Sequence, residues 1–100
     1  MDNSFKDFAL DQLRSLDGVT SRSMFGGWGL YCGDVFFGIV HDDQLFFKTD
    51  DATRPAYLEH GMGPFKPSDK QTLKNYYEVP IGVLENHEAL VAWALLAIGV

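Results

Sequence analysis

Trp28-Gly29-Leu30-Tyr31-Cys32-Gly33-Asp34-Val35-Phe36-Phe37-Gly38-Ile39-Val40 is the stretch that decides the architecture of this 100-residue chain. Apolar and aromatic residues flank a central Gly-Asp, which reads as a β-hairpin with a two-residue turn and glycine at its first central position. A strict two-residue turn sets Cys32 opposite Val35, Tyr31 opposite Phe36 and Leu30 opposite Phe37. Continued without interruption, it sets Gly29 opposite Gly38 and Trp28 opposite Ile39. In that register one face carries Leu30, Cys32, Phe37 and Ile39, and the other carries Tyr31, Phe36 and Val40. Both faces are apolar. Helices in a two-layer domain cover only one of them, so Tyr31, Phe36 and Val40 form a candidate protein-contact surface.

Working outward, a turn at Asp42-Asp43 leads into a strand at Gln44-Leu45-Phe46-Phe47-Lys48. An earlier strand is expected over residues 21–25, ending at Phe25, with Gly26-Gly27 as a kink, bulge or turn. Upstream, Phe5, Phe8, Ala9, Leu13 and Leu16 make one helical stripe, with Ser4 as its cap, Asp7 in its first turn and Asp17-Gly18 as its stop. Downstream, residues 50–53 break the sheet, and Pro55 suits the first turn of a short helix ending at His60-Gly61. A short extended piece at Phe65-Lys66, a loop over 67–71 and a strand at Tyr76-Tyr77-Glu78-Val79 follow, with Pro80 as terminator. Asn86 caps a last helix. Tight turns make consecutive strands antiparallel. The expected fold is α+β and two-layered, an antiparallel sheet of about five strands carrying N-terminal, middle and C-terminal helices, with residues 1–100 as a single domain. The last helix is apolar nearly all round, with no charge after Glu88. Either it is buried on several sides or it is an interface, most simply that of a homodimer.

Composition narrows the function. A chain with 46% hydrophobic and 22% charged residues is not disordered. A net charge of −6 argues against bulk nucleic-acid affinity. Cys32 has no cysteine partner, which fits a reducing cytoplasm, the expected location. The start at Met1-Asp2-Asn3-Ser4 has no basic region followed by an apolar one. The longest apolar run, residues 89–98, is too short to span a bilayer, so no membrane partner is expected.

The chemistry-bearing residues do not assemble. His41, His60 and His87 lack metal-ligand spacing and read as surface or loop-stabilising residues. Asp34 is the nearest charge to Cys32 and does not favour a thiolate. Gly26-Gly27-Trp28-Gly29 enters a strand rather than a helix and lacks the Walker ending, so it reads as a bend permitting close approach. No catalytic residue, metal ligand or cofactor is therefore expected, and the chain does not read as an enzyme. A small enzyme or ligand-binding domain built on the 26–29 bend is the further alternative. Arg54, Lys66, Lys70 and Lys74 outnumber the acids of the 54–77 segment and interleave with Phe65, Tyr76 and Tyr77. That makes the segment a weak nucleic-acid candidate, with a solvated face as the ordinary reading. Arg22 and Lys48 are candidate charges for positioning a partner's acidic group, with structural salt bridges as the ordinary alternative.

Arg22-Ser23-Met24-Phe25-Gly26-Gly27-Trp28-Gly29-Leu30-Tyr31 resembles the signature of the TfoX/Sxy N-terminal domain family. Leu45-Phe46-Phe47-Lys48, Tyr76-Tyr77-Glu78-Val79-Pro80, and Leu90 with Trp93-Ala94 extend the resemblance from about Phe5 to Ile98. It implies a two-layer α+β fold and a regulatory role. Two-domain members regulate natural competence as coactivators for transcription of DNA-uptake genes, some of them with a cyclic-AMP-dependent activator. The implied partner is thus a protein, either the transcription machinery or such an activator, and direct nucleic-acid binding is not expected of this domain alone. The family supplies no catalytic residues. The sequence stops at Val100 without the smaller C-terminal helical domain of two-domain members, so the expectation is a fragment or a stand-alone member.

Overall fold

The Gly33-Asp34 turn forms as the sequence requires, with Gly33 at φ +59° and the pairs Cys32–Val35 and Tyr31–Phe36 in place. The computed structural model describes residues 3–24 and 26–100. It contains strands β1 (Val19–Met24), β2 (Gly27–Cys32), β3 (Val35–His41), β4 (Gln44–Lys48), β5 (Pro64–Ser68) and β6 (Gln71–Glu78). The helices are α1 (Ser4–Gln12), α2 (Arg54–Glu59), α3 (Ile81–Leu84) and α4 (His87–Ile98). All strand pairs are antiparallel, in the order β1-β2-β3-β4-β6-β5. The class is α+β as expected, with six strands rather than about five. The difference lies at the short piece around Phe65, which pairs with an early-starting β6 across the expected 67–71 loop. Phe25, the expected end of the first strand, lies outside the described residues.

Above the first two pairs the hairpin departs from the strict register. A bulge shifts the pairing between Leu30 and Tyr31, so Leu30 faces Gly38, Gly29 faces Ile39 and Trp28 faces Val40. Phe37 is the surplus residue, and beyond it the alternation of β3 reverses. Val40 therefore joins the helix-side core with Leu30, Phe37, Leu45 and Phe47, whereas Ile39 belongs to a separate cluster with Phe46 and Phe65. The expected placement of Val40 beside Tyr31 and Phe36 is corrected, and Ile39 takes that position. Glycine suits the bulge, because a Cβ at residue 38 would stand 3.1 Å from the Phe46 carbonyl oxygen.

The helix-side core is filled by Leu13 from the turn after α1, by Leu90, Ala94 and Ala97 from α4, and by the inner faces of β2, β3 and β4. Asn86 caps α4 as expected, accepting from the Ala89 amide at 3.1 Å. The α4 helix is buried on one side only: Ala92, Leu95 and Leu96 face outward.

The outer face has its own cover. Phe65 is fully buried, its ring 4.6 Å from Phe46 and 5.2 Å from His41. In a flat sheet β5 and β3 would stand about 14 Å apart. These contacts therefore require the β5–β6 end to fold back across the outer face. The pairing allows it by skipping from Pro64–Tyr77 to Phe65–Leu73.

Two glycines of β2 separate backbone from side-chain constraints. A Cβ at Gly27 would run into the Val40 carbonyl oxygen, which is fixed in the sheet, whereas one at Gly29 would meet the flexible Met24 sulfur first. Gly27→Ala is expected to lose about 2–3 kcal/mol in urea unfolding, and Gly29→Ala clearly less. Equal losses would show that the Val40 approach is not limiting.

Candidate functional site

On the outer face the sheet lines up one row of stacked groups. The Arg22 guanidinium lies 4.7 Å from the centre of the Tyr31 ring. Tyr31 stacks on Phe36 at 5.1 Å and 27°, and Phe36 meets Tyr76 at 5.4 Å and 33°. Gly29 makes the row fit, since a Cβ there would press within 3.3 Å of both the Phe36 and Tyr31 rings. Burial, and secondarily the charge of Tyr31, raise the Tyr76 phenol above its ordinary value. Tyr31 and Phe36 stack on each other, which leaves less of each face for stacking unpaired bases. Of the expected surface, Tyr31 and Phe36 come together here, half-buried, while Val40 lies in the core on the other side of the sheet.

The candidate charges separate. Arg22 belongs to this row. Lys48 lies at the end of β4 and lines a small slot with Tyr57 of α2 and Trp93 of α4. Arg54 is engaged on every side. Its Nη1 donates to Asp51 Oδ1 at 2.9 Å, its Nη2 to Asn75 Oδ1 at 3.3 Å and its Nε to Thr49 Oγ1 at 3.3 Å. Buried Thr49 in turn donates its hydroxyl to the Asn75 carbonyl at 3.1 Å. These bonds pin the start of α2 to β6. Lys66, Lys70 and Lys74 remain exposed along the β5–β6 hairpin.

The 26–29 bend borders an open cleft of about 230 Å³, lined among others by Lys6, Gly27, Trp28 and Asp42. The Lys6 ammonium there is already engaged, 4.1 Å from the Trp28 ring centre and 3.6 Å from Asp7. Among the described residues no three His, Cys, Asp or Glu side chains are grouped to hold a metal, and no helix is long and apolar enough to cross a membrane.

One constellation escaped sequence reasoning. His87 Nε2 is 2.6 Å from Ser15 Oγ, and its Nδ1 is 2.7 Å from the Gln12 carbonyl oxygen. A serine hydrogen-bonded to a histidine that is oriented by a third group is the geometry of an activated nucleophile. Here the orienting group is a terminal carbonyl of α1, which needs a donor in any case. Gln12 Nε2 also donates to the Leu84 carbonyl at 3.0 Å, so the bonds fasten the end of α1 to α3 and α4. Ser15 and His87 are 72 positions apart, a separation that carries no local signal.

A small α+β domain emerges, helices on one sheet face and an arginine-capped aromatic row with a folded-back hairpin on the other. The chain belongs to the family of the TfoX N-terminal domain, whose model matches residues 11–100. It is 33% identical over 69 residues to the DNA transformation protein TfoX1 of Aliivibrio fischeri, an alignment covering 67% of this chain and 33% of that protein. The chain thus spans about a third of the length of this curated relative.

Two expected outcomes follow from the local geometry. Asp50 accepts from the Thr53 amide at 2.9 Å and the Ala52 amide at 3.0 Å, and these bonds, Thr53's first, lower its carboxyl below the ordinary 3.8. A carboxylate lowered on folding contributes stability above its unfolded pKa, and that contribution fades as pH falls through the folded value. Asp50→Asn should therefore flatten the stability profile below about pH 4, measured by urea unfolding; an unchanged acid limb refutes the assignment. His87→Ala should lower stability by about 1–2 kcal/mol, while a fluorophosphonate probe leaves Ser15 unlabelled. Labelling of Ser15 that disappears in His87→Ala would instead identify a nucleophile.

Proposed function

We propose that this domain is a non-enzymatic regulatory module of DNA transformation that acts through protein contact. Family membership and the name of the Aliivibrio fischeri relative support the process. The observation that carries the mode of action is the outward side of the helical layer. Leu95 and Leu96 of α4 are 54% and 60% exposed, and Leu58 of neighbouring α2 is 55% exposed. No charge occurs after Glu88 to break this surface. Scattered exposed leucines are ordinary, but adjacent ones on a helix uncharged beyond its first turn make a contact face. The contact surface therefore moves from the sheet, where the β5–β6 hairpin already covers much of the apolar area, to the helices. The row of Tyr31 and Phe36 remains a secondary surface. A regulatory component of the transcription apparatus, such as a cyclic-AMP-dependent activator, is the partner class this reading favours, in the cytoplasm. Contact with nucleic acid through residues 54–77 has less support, because Arg54 is committed to Asp51, Asn75 and Thr49.

The test is genetic and structural together. Deleting the gene in its own host should lower transformation frequency, and the wild-type gene should restore it. Leu96→Asp should fail to restore it while leaving the purified domain's thermal midpoint unchanged. Full restoration by Leu96→Asp removes the helical face from the mechanism, and a deletion without effect removes the regulatory reading.

A further inference from the structure

The sheet ends in two edges of opposite character. Strand β5 closes one of them with Pro64 and Pro67, an exposed Lys66 and two breaks in register, features that keep a further strand from pairing. Strand β1 forms the other, and Val19 to Met24 hold one unbroken register with no proline, glycine or lysine among them. We infer that the free edge of β1 takes up an extended segment of a partner protein, paired antiparallel, with a carboxylate opposite Arg22. The inference goes beyond the preceding reading and does not rest on it, because it places a contact on the sheet edge rather than on the helical face.

The ladder fixes which backbone groups are free. The Gly33 amide donates to the Gly18 carbonyl at 3.1 Å, in the same register that sets Val19 opposite Cys32. Bonded pairs alternate in an antiparallel ladder, so Thr20, Arg22 and Met24 bond to β2, while Val19, Ser21 and Ser23 turn N–H and C=O away from it. The neighbouring hairpin agrees: Cys32 and Val35 close its two-residue turn and so bond to each other, which turns Tyr31 toward β1. The outward groups have no partner among the described residues. Such a row is a template for one added strand.

Side chains set what that strand carries. Arg22 is exposed, lies 4.7 Å from the Tyr31 ring centre, and is in no hydrogen bond or ion pair among the described residues. Toward an added strand it stands in a non-bonded pair, the kind that brings opposite side chains closest, so a carboxylate there meets the guanidinium directly. On the other face, Val19, Leu16 and Cys32 are half-buried at the rim of the helix-side core, which an aliphatic residue opposite Val19 would extend. Asp17 and Asp34 adjoin the Gly18–Gly33 pair beyond Val19 and disfavour an acid at that end. The segment therefore carries an acid and, three residues later, an aliphatic residue on its opposite face.

A second copy of this chain does not meet these needs. Two-fold pairing of β1 with itself runs antiparallel, and the outward groups at 19, 21 and 23 then pair only with one another. Arg22 would face Gly18, Thr20, Arg22 or Met24 of the other copy, none of them acidic.

The probe is the acetylated, amidated peptide Lys-Thr-Val-Glu-Val-Thr-Val-Lys, titrated into the ¹⁵N-labelled full chain. In the free chain the amides of Thr20 and Arg22 should exchange slowly with deuterium, and those of Ser21 and Ser23 fast. Saturating peptide should slow Ser21 and Ser23 by about tenfold or more. Replacing the peptide's glutamate with glutamine should weaken binding about threefold. Arg22→Gln should weaken the parent peptide equally and no longer distinguish the two. N-methylation of the two valines flanking the glutamate removes the donors facing the Ser21 and Ser23 carbonyls and should abolish binding without altering the protein. Absence of protection at millimolar peptide overturns the proposal, as does binding that survives N-methylation or ignores the glutamate. Protection of Ser21 and Ser23 that follows protein concentration without peptide also overturns it, and assigns the edge to a second copy.

Discussion

One surplus residue in β3 determines what each face of the sheet presents. Without the bulge at Phe37 and Gly38, strict alternation would place Val40 outside and Ile39 inside. With it, the helix-side core receives both Phe37 and Val40, and the outer face receives Phe36 and Ile39. Phe37 to Val40 are buried in unbroken succession because both faces of the sheet are covered, as Leu45 to Phe47 of β4 are. The bulge also requires the glycine, since Gly38 sits where a side chain would press on the Phe46 carbonyl and the Phe47 ring. Core composition, outer row and glycine usage thus depend on one irregularity of backbone pairing.

A sheet that is apolar on both sides needs two covers. Helices α1 and α4 supply the first. The second is the folded-back β5–β6 end, where Phe65 closes over Phe46 and Ile39. Burying a phenylalanine is worth about 2–3 kcal/mol, enough to hold a short hairpin against its ordering entropy only if other contacts help. They do: Arg54 and Thr49 anchor Asn75 of β6, and Tyr76 closes the aromatic row. The same contacts remove most of the outer face from the surface available to a partner.

What could be read from the sequence divides along the range of the interactions. The Gly33-Asp34 turn, the antiparallel class, the Asn86 cap and the apolar character of α4 each follow from residues within a few positions of one another. Arg22 to Tyr31 was legible because its glycines and aromatics serve one hairpin. The bulge was not, because strict and bulged pairings share the same turn and differ only in long-range packing around Phe46 and Phe47. Gln71 to Asn75 carries too little apolar pattern to announce a strand, and its pairing depends on Phe65 finding a pocket across the sheet. The link between Ser15 and His87, and the slot shared by Lys48, Tyr57 and Trp93, join residues from distant parts of the chain. Their chemistry is created by the fold and has no local signature.

Charge then decides how such a domain can recognise anything. At −6 the chain repels acidic partners at long range, but the Debye length at physiological salt is about 8 Å, so repulsion fades before surfaces touch. Recognition must therefore come from contacts made at close quarters. The sheet's arginine has been stacked on Tyr31 and α2's arginine tied to Asp51, which leaves neither free to dominate a contact. What stays exposed for such contacts on the helical side is apolar: Leu95 and Leu96 of α4 and Leu58 of α2 stand outside the core, and no charge follows Glu88 in the sequence.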